Sequence, residues 1–257
     1  MSIGVLLTTF KRPHTLRPQL EAIGRQTLEP DSLVIYHNEG GVSPDLDAMR
    51  NHRVVSENQA AGVWQRFAWC LHGFNTEFVC VLDDDTIPGD GWLQNCMTCF
   101  QAHAGLYGAN GVRFPHLKRD PRTYHGFQDR CANTMQVDIV GHSWFFKREW
   151  LRAWLATPPA CYEPTAGEDY HWAYVMQQMG LNCFVPPQNS SDRVGSRHPG
   201  LGTDEHALYL TPGEEDKKFS VHDAYRRLGW KPMADRPVPV KRTTCWFPVD
   251  NGGAIPV

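Results

Sequence analysis

The segment Phe78-Val79-Cys80-Val81-Leu82-Asp83-Asp84-Asp85 decides the reading of this chain. Five uncharged residues, rich in strand formers, run directly into three consecutive carboxylates. The apolar run reads as a buried strand of a parallel sheet, closed by the turn signal Thr86-Ile87-Pro88-Gly89-Asp90-Gly91. In open α/β sheets, ligands sit at the carboxyl ends of the strands. Three adjacent acids at such an edge repel one another, so a nearby cation is favourable there. Hard divalent ions take carboxylate oxygens, and magnesium-type sites share the metal with substrate phosphates. The segment therefore reads as a metal–diphosphate site, with an acidic surface turn as the plain alternative.

Upstream and just downstream of this segment, strand and helix signals alternate. Strands are expected at 3–8, 32–37 and 53–56, and helices at 15–26, 63–72 and 92–103, the first with Leu16, Leu20 and Ile23 at helical spacing. Pro18 is tolerable because it falls near a helix start. This β–α order predicts an α/β fold, with a mostly parallel, Rossmann-like central sheet and helices on both faces. The later chain is less regular. Residues 111–137 look loop-rich, 137–146 reads as one strand, and 147–150 opens a short helix. A helix over 168–179 closes at Gly180, and a strand at 182–185 stops at Pro186-Pro187. Ser220 with Asp223 offers an N-cap signal for a helix through Leu228, ended by Gly229. The last 27 residues hold five prolines and read as a surface tail. The expected division is a core over 1–187, a C-terminal loop and helix over 188–230 that completes the site, and a Pro-rich tail over 231–257.

Composition sets outer limits. At 257 residues, 41% hydrophobic and 21% charged, the chain can bury a sizeable core. A net charge of −3 supplies no basic footprint for nucleic acid or an anionic membrane. No stretch approaches the ~20 apolar residues of a membrane span. The opening Met1-Ser2-Ile3-Gly4-Val5-Leu6-Leu7 reads as a strand rather than a signal peptide, so a cytoplasmic protein with eight reduced cysteines is expected. Cys96 and Cys99 form a lone Cys-x-x-Cys in a helical segment. Core packing is favoured there over zinc or redox chemistry.

Four segments, in this order, resemble the GT-A glycosyltransferases, in particular the inverting group called family 2. Gly4-Val5-Leu6-Leu7-Thr8-Thr9-Phe10-Lys11-Arg12-Pro13 resembles the first strand and nucleotide-contacting loop, with a Thr-x-x-Arg pattern at Thr9 and Arg12. Asn58-Gln59-Ala60-Ala61-Gly62-Val63 resembles the Asn-containing loop before the next helix. Leu82-Asp83-Asp84-Asp85 matches the Asp-x-Asp element, and Gly167-Glu168-Asp169 resembles the late Glu-Asp that supplies the base. The match covers about residues 3–185. One departure stands out: where the family's second strand ends in an Asp, this chain reads His37-Asn38-Glu39, so contact with the nucleotide base falls to Asn38 or Glu39.

The resemblance implies a nucleotide-sugar site formed by Thr8, Thr9, Phe10, Arg12, Asn38, Glu39, Asn58, Val63, Asp83 and Asp84. It implies a Mn²⁺ or Mg²⁺ ion on Asp85, with Asp83 assisting and His198 as a further ligand from a Gly-rich segment. The base is expected at Asp169, with Glu168 as second choice, although acids at a helix start also serve as plain caps. Trp144 and His142 fall on the acceptor side, where an aromatic face can stack on a sugar; a buried core role is the alternative for Trp144. The implied activity is metal-dependent, inverting transfer of a sugar from a nucleoside-diphosphate sugar, UDP- or GDP-linked, to a hydroxyl of a carbohydrate or glycoconjugate. Three other readings remain. A sugar-phosphate nucleotidyltransferase needs a glycine-rich loop that Thr8-Thr9-Phe10-Lys11-Arg12-Pro13 lacks. A catalytically silent nucleotide-sugar or glycan-binding module, or a metal-dependent hydrolase, would retain the same fold.

Overall fold

A computed structural model describes residues 1–38, 43–57, 62–115, 122–126, 131–188, 204–207 and 210–236. The strands are β1 Ile3–Thr9, β2 Ser32–Asn38, β3 Arg53–Glu57, β4 Phe78–Leu82, β5 Gly105–Tyr107, β6 Asn110–Arg113, β7 Thr123–Gly126, β8 Met135–Val137, β9 Ile139–Gly141, β10 Ser143–Lys147 and β11 Asn182–Val185. The α-helices are α1 Leu16–Gly24, α2 Leu46–Met49, α3 Gln65–Gly73, α4 Trp92–Ala102, α5 Leu151–Ala156, α6 Glu168–Gln178 and α7 Glu214–Arg227. Eight strands form one mixed sheet in the order β3-β2-β1-β4-β10-β5-β11-β8. Strands β3, β2, β1, β4, β5 and β11 run one way, while β10 and β8 run against them. The sheet is therefore α/β and mostly parallel, compatible with a Rossmann-like arrangement. A smaller sheet, β7-β6-β9, lies beside it.

The period of two along β4 explains how helices cover both faces. Phe78, Cys80 and Leu82 point into a core shared with Leu16 and Ile23 of α1 and with Trp92, Leu93 and Cys96 of α4. Val79 and Val81 point into a second core with Phe67 of α3, Trp154 of α5, Trp172 of α6 and Tyr225 of α7. With both faces covered, β4 needs no polar alternation, and all five of its residues are buried. Burying a side chain of this size contributes about 1.5–3 kcal/mol. The Cys-x-x-Cys belongs to the first core: Cys96 and Cys99 are both fully buried, and the described cysteines are all free thiols.

Several boundaries differ from expectation. The single strand expected over 137–146 is three strands, β8, β9 and β10, which serve different sheets. The chain turns at Asp138, whose buried carboxylate accepts bonds from the Phe114 amide at 2.7 Å and the Met233 amide at 2.5 Å. It turns again at His142, which takes the left-handed region at φ 64°. The 111–137 stretch, expected to be loop, also holds β6, β7 and β8; strands of three or four residues are too short to show a period. Helix α7 starts at Glu214 after Gly213, whose φ is 83°, six residues before the expected cap at Ser220. Ser220 instead lies inside the helix and donates to the Asp216 carbonyl at 2.9 Å. Three acids, Glu214, Glu215 and Asp216, fill the first turn, where the helix dipole favours them. No described helix is long and apolar enough to cross a membrane. The expected tail lies outside the described residues from 237 onward.

Candidate active site at the carboxyl edge of the sheet

The backbone after β4 is held on every side, which fixes where the three acids point. Thr8 Oγ1 donates to the Leu82 carbonyl at 3.0 Å, and the Asp83 amide donates to the His142 carbonyl at 3.0 Å. Gln19 Nε2, fully buried, donates to the carbonyls of Asp83 at 2.6 Å and Thr86 at 2.9 Å. The turn is thus tied to β1, to α1 and to the start of β10. It lies where the strand order reverses: β1 is followed outward by β2 and β3 on one side, and β4 lies on its other side. Such a switch point opens a crevice beyond the carboxyl ends of two adjacent parallel strands.

Each acid has its own cation. Arg12, 5% exposed after the end of β1, reaches Asp84 at 2.7 Å and Asp85 at 3.9 Å. Its other edge makes two bonds of 2.7 Å to the carboxylate of Asp204, an Arg–carboxylate fork that spans 192 residues of sequence. Arg66, on α3, pairs with Asp83 and also with Glu168 at 3.2 Å. His142 Nδ1 lies 3.2 Å from Asp85 Oδ1, and Thr86 Oγ1 donates to the same oxygen at 3.2 Å.

The environments push the three acids apart. Burial drives Asp83 up to about 7 despite Arg66 and His142, and burial also raises Asp84. Burial works against the Asp85 anion too, but the His142 hydrogen bond and charge, with Arg12, overcome it and hold Asp85 below the usual carboxylate range. His142 is raised in return: burial opposes its charged form, and the bond to Asp85 outweighs that cost. Asp204, bound by the Arg12 fork, falls to about 2. Of the three acids, Asp85 is the one whose surroundings favour the anion over an ordinary carboxylate.

The second carboxylate cluster begins at Gly167, whose φ of 102° suits glycine and lets α6 start abruptly. A Cβ at Gly167 would stand 3.2 Å from Val221 and 3.3 Å from Trp64. Glu168 and Asp169 form the first turn. Burial raises Glu168, and burial together with the Glu168 charge raises Asp169 well above the carboxylate range. Asp169 Oδ1 is buried with no hydrogen-bond partner among the described residues. Its Oδ2 lies 3.9 Å from where a Gly141 Cβ would stand, so it faces the bend between β9 and β10. Lys218 of α7 is near enough for its charge to favour both anions.

Arg66 joins the two clusters. Its guanidinium carbon lies 4.5 Å from the Trp144 ring centroid and 5.1 Å from that of Phe67. A cation on an aromatic face, between Asp83 and Glu168, ties α3, β4, α6 and β10 together at one point.

Thr8, Arg12, Asp83, Asp84, Asp85, His142, Glu168 and Asp169 thus gather at one edge through these contacts. Thr9 pairs with His37 in the β1–β2 register, which puts Asn38 one residue further along the same edge. Asn38 Nδ2 reaches the Gly62 carbonyl at 3.5 Å, and the Val63 amide is committed to the Pro164 carbonyl at 2.9 Å. Phe10 is half-buried, with Lys11 over its ring at 5.2 Å. Trp144, expected on the acceptor side, is 1% exposed, with its ring against Phe67 and Arg66, so it offers no face to a ligand. Its place on β10 between residues buried on the other face explains this. Glu39, Asn58 and His198 lie outside the described residues.

Sequence reading missed Arg66, Asp204 and Gln19. Arg66 had a usable signal, a charge next to Phe67 and one turn before Cys70 on a helix flank that is buried. Asp204 had none, because its partner is 192 positions away. No described group of three His, Cys, Asp or Glu residues forms a ready-made metal cage. Compared with known proteins, the chain matches no family model and no curated sequence.

Proposed function

We propose that this chain is a metal-dependent, inverting glycosyltransferase of GT-A type, transferring a sugar from a nucleoside-diphosphate sugar to a hydroxyl of a glycan or glycoconjugate. The observation that supports this most directly is the meeting of two carboxylate clusters, Asp83–Asp85 and Glu168–Asp169, at a sheet switch point beside Arg12. A donor site and a base need to be adjacent for such a transfer, and Arg66 bridges the two.

In this reading Thr8, Thr9, Phe10 and Asn38 line the nucleotide side, and the Arg12 guanidinium, held between Asp84 and Asp204, supplies positive charge beside the phosphates. Asp85 suits Mn²⁺ or Mg²⁺, because such ions are commonly held by one or two carboxylates and take their remaining ligands from phosphate and water. When bound, the ion supplies Lewis-acid neutralisation of the leaving diphosphate. His142 and Thr86 hold the Asp85 carboxylate in place through the bonds already described. Asp169 removes the proton from the acceptor hydroxyl while the acceptor oxygen bonds to the anomeric carbon. The bond from that carbon to the diphosphate oxygen breaks, the diphosphate keeps the electron pair, and Asp169 ends protonated. A base works best when its pKa lies near the working pH, and burial moves Asp169 in that direction.

One observation favours a catalytically silent binding module: Arg12, Arg66 and His142 already satisfy the three acids of the triplet. Turnover separates the two. With UDP- or GDP-sugars, Mn²⁺ and a glycan acceptor, the parent is expected to release nucleoside diphosphate, and Asp169→Asn to lose at least about a hundredfold in kcat. Equal turnover in parent and variant would remove Asp169 as the base, and no turnover in the parent with any donor it binds would favour the silent module.

A further inference from the structure

A cavity of about 190 Å³ lies apart from the acid triplet, between β6, the start of β7 and helix α7. Its walls include Phe114, Pro115, Arg122, Phe219, His222 and Pro232. Roughly 150 Å³ is enough to hold one benzene ring, so this volume suits a single ring rather than an extended chain. Phe114 is the centre of an aromatic cluster, with His222 at 5.0 Å, Tyr170 at 5.8 Å and Trp230 at 5.8 Å between ring centroids.

The charges in the cavity are unevenly committed. Arg226 pairs with Asp235, and Asp223 Oδ1 lies 3.3 Å from His222 Nδ1. Arg122 is different. Its guanidinium lies 4.9 Å from the Phe219 ring centroid and 5.5 Å from that of Phe114, and among the described residues it has no carboxylate partner. With no carboxylate partner among the described residues, the Arg122 N–H groups are open to a ligand, and their geometry matches a carboxylate or phosphate.

We propose that this cavity binds a ring carrying an anionic group, a sugar carboxylate or a sugar phosphate, with the ring on the aromatic floor and the anion on Arg122. On the transferase reading, from which this role follows, it holds the charged unit of the acceptor. Two links join it to the carboxylate pair. Tyr170 follows Asp169 on α6, and its ring packs against Phe114 and His222 of the cavity. Lys218, which acts on Asp169 and Glu168 by its charge, immediately precedes Phe219 on α7. The cavity wall thereby adjoins the helical turns that carry the carboxylate pair and Lys218, and neutral glycans lack the group that Arg122 selects.

The test is isothermal titration of the full chain, without nucleotide or metal, using glucuronate, glucose 6-phosphate and neutral glucose as probes. At least one of the two anions is expected to bind about tenfold or more tighter than glucose, the worth of one charge-assisted hydrogen bond. Arg122→Gln is expected to abolish that preference, and Arg122→Lys to restore part of it. Glucose binding as tightly as both anions, an anion preference that survives Arg122→Gln in a folded variant, or no binding of either anion overturns the proposal. The preference for glucuronate or for glucose 6-phosphate tells the carboxylate from the phosphate. Nucleotide binding measured on the same samples keeps the two readings apart: anion binding without any nucleotide response supports the cavity while removing the donor site.

Discussion

Arg66 holds more of the site together than any residue of the acid triplet. It is 6% exposed, it pairs with Asp83 and Glu168, and it lies on the Trp144 ring. Removing one partner of a buried ion pair leaves an uncompensated charge, at a cost of about 3–5 kcal/mol. Arg66→Ala is therefore expected to lower unfolding stability by that amount in urea titration at neutral pH. A loss under about 1 kcal/mol would mean that the two acids are neutral or find water, and the bridge would have no structural weight. Asp169 gives the residue scale its pH dependence. Its pKa is raised in the fold by burial and by Glu168, so the deprotonated, base-competent form is lost as pH falls through a value above the ordinary ~4 of a carboxylate. The acid limb of kcat/KM in the turnover assay is expected above that ordinary range. A limb at or below it would assign the limb to another group.

At the level of elements, the turn between β8 and β9 decides which sheet each strand joins. Asp138 is 1% exposed and accepts from two backbone amides, those of Phe114 and Met233, with Arg236 at 3.9 Å. Without that carboxylate one buried and one half-buried donor lose their acceptor. Asp138→Ala is expected to cost roughly 2–4 kcal/mol, read from the urea midpoint at constant m-value. An unchanged midpoint would show that the turn is set by backbone alone. The same turn shows what could be read from sequence and what could not. The run 78–82 was legible because a fully buried parallel strand is continuously apolar, and the start of α6 was legible because Glu168-Asp169 follows a glycine. The 137–146 stretch was not, because its strand-forming residues continue on either side of Asp138 and His142, which turn the backbone within it. Strands β6 and β7 hide for another reason: each has four residues and a single large apolar side chain, Val112 or Tyr124, so no period emerges.

Across the whole molecule, the site is assembled from segments that lie far apart in the chain. Arg12 meets Asp84 across 72 positions and Asp204 across 192, and Arg66 meets Glu168 across 102. The acid triplet announced itself locally; its partners are a product of topology, which brings β1 beside β4 and lays α3 and α6 over the same face. The chain order of four motifs carried the resemblance, whereas the cations that hold the acids became visible only once the fold was in place. The proposed function requires this carboxyl edge to be a nucleoside-diphosphate site that works with a divalent ion. A thermal-shift panel of UDP, GDP, dTDP and CMP and their sugars, each with and without Mn²⁺, tests it most directly, since a ligand of the folded state raises the melting temperature. A rise that requires Mn²⁺ and disappears in Asp85→Ala is expected with at least one nucleoside diphosphate. No rise with any nucleotide in the folded parent, or a rise that Asp85→Ala leaves intact, would contradict it.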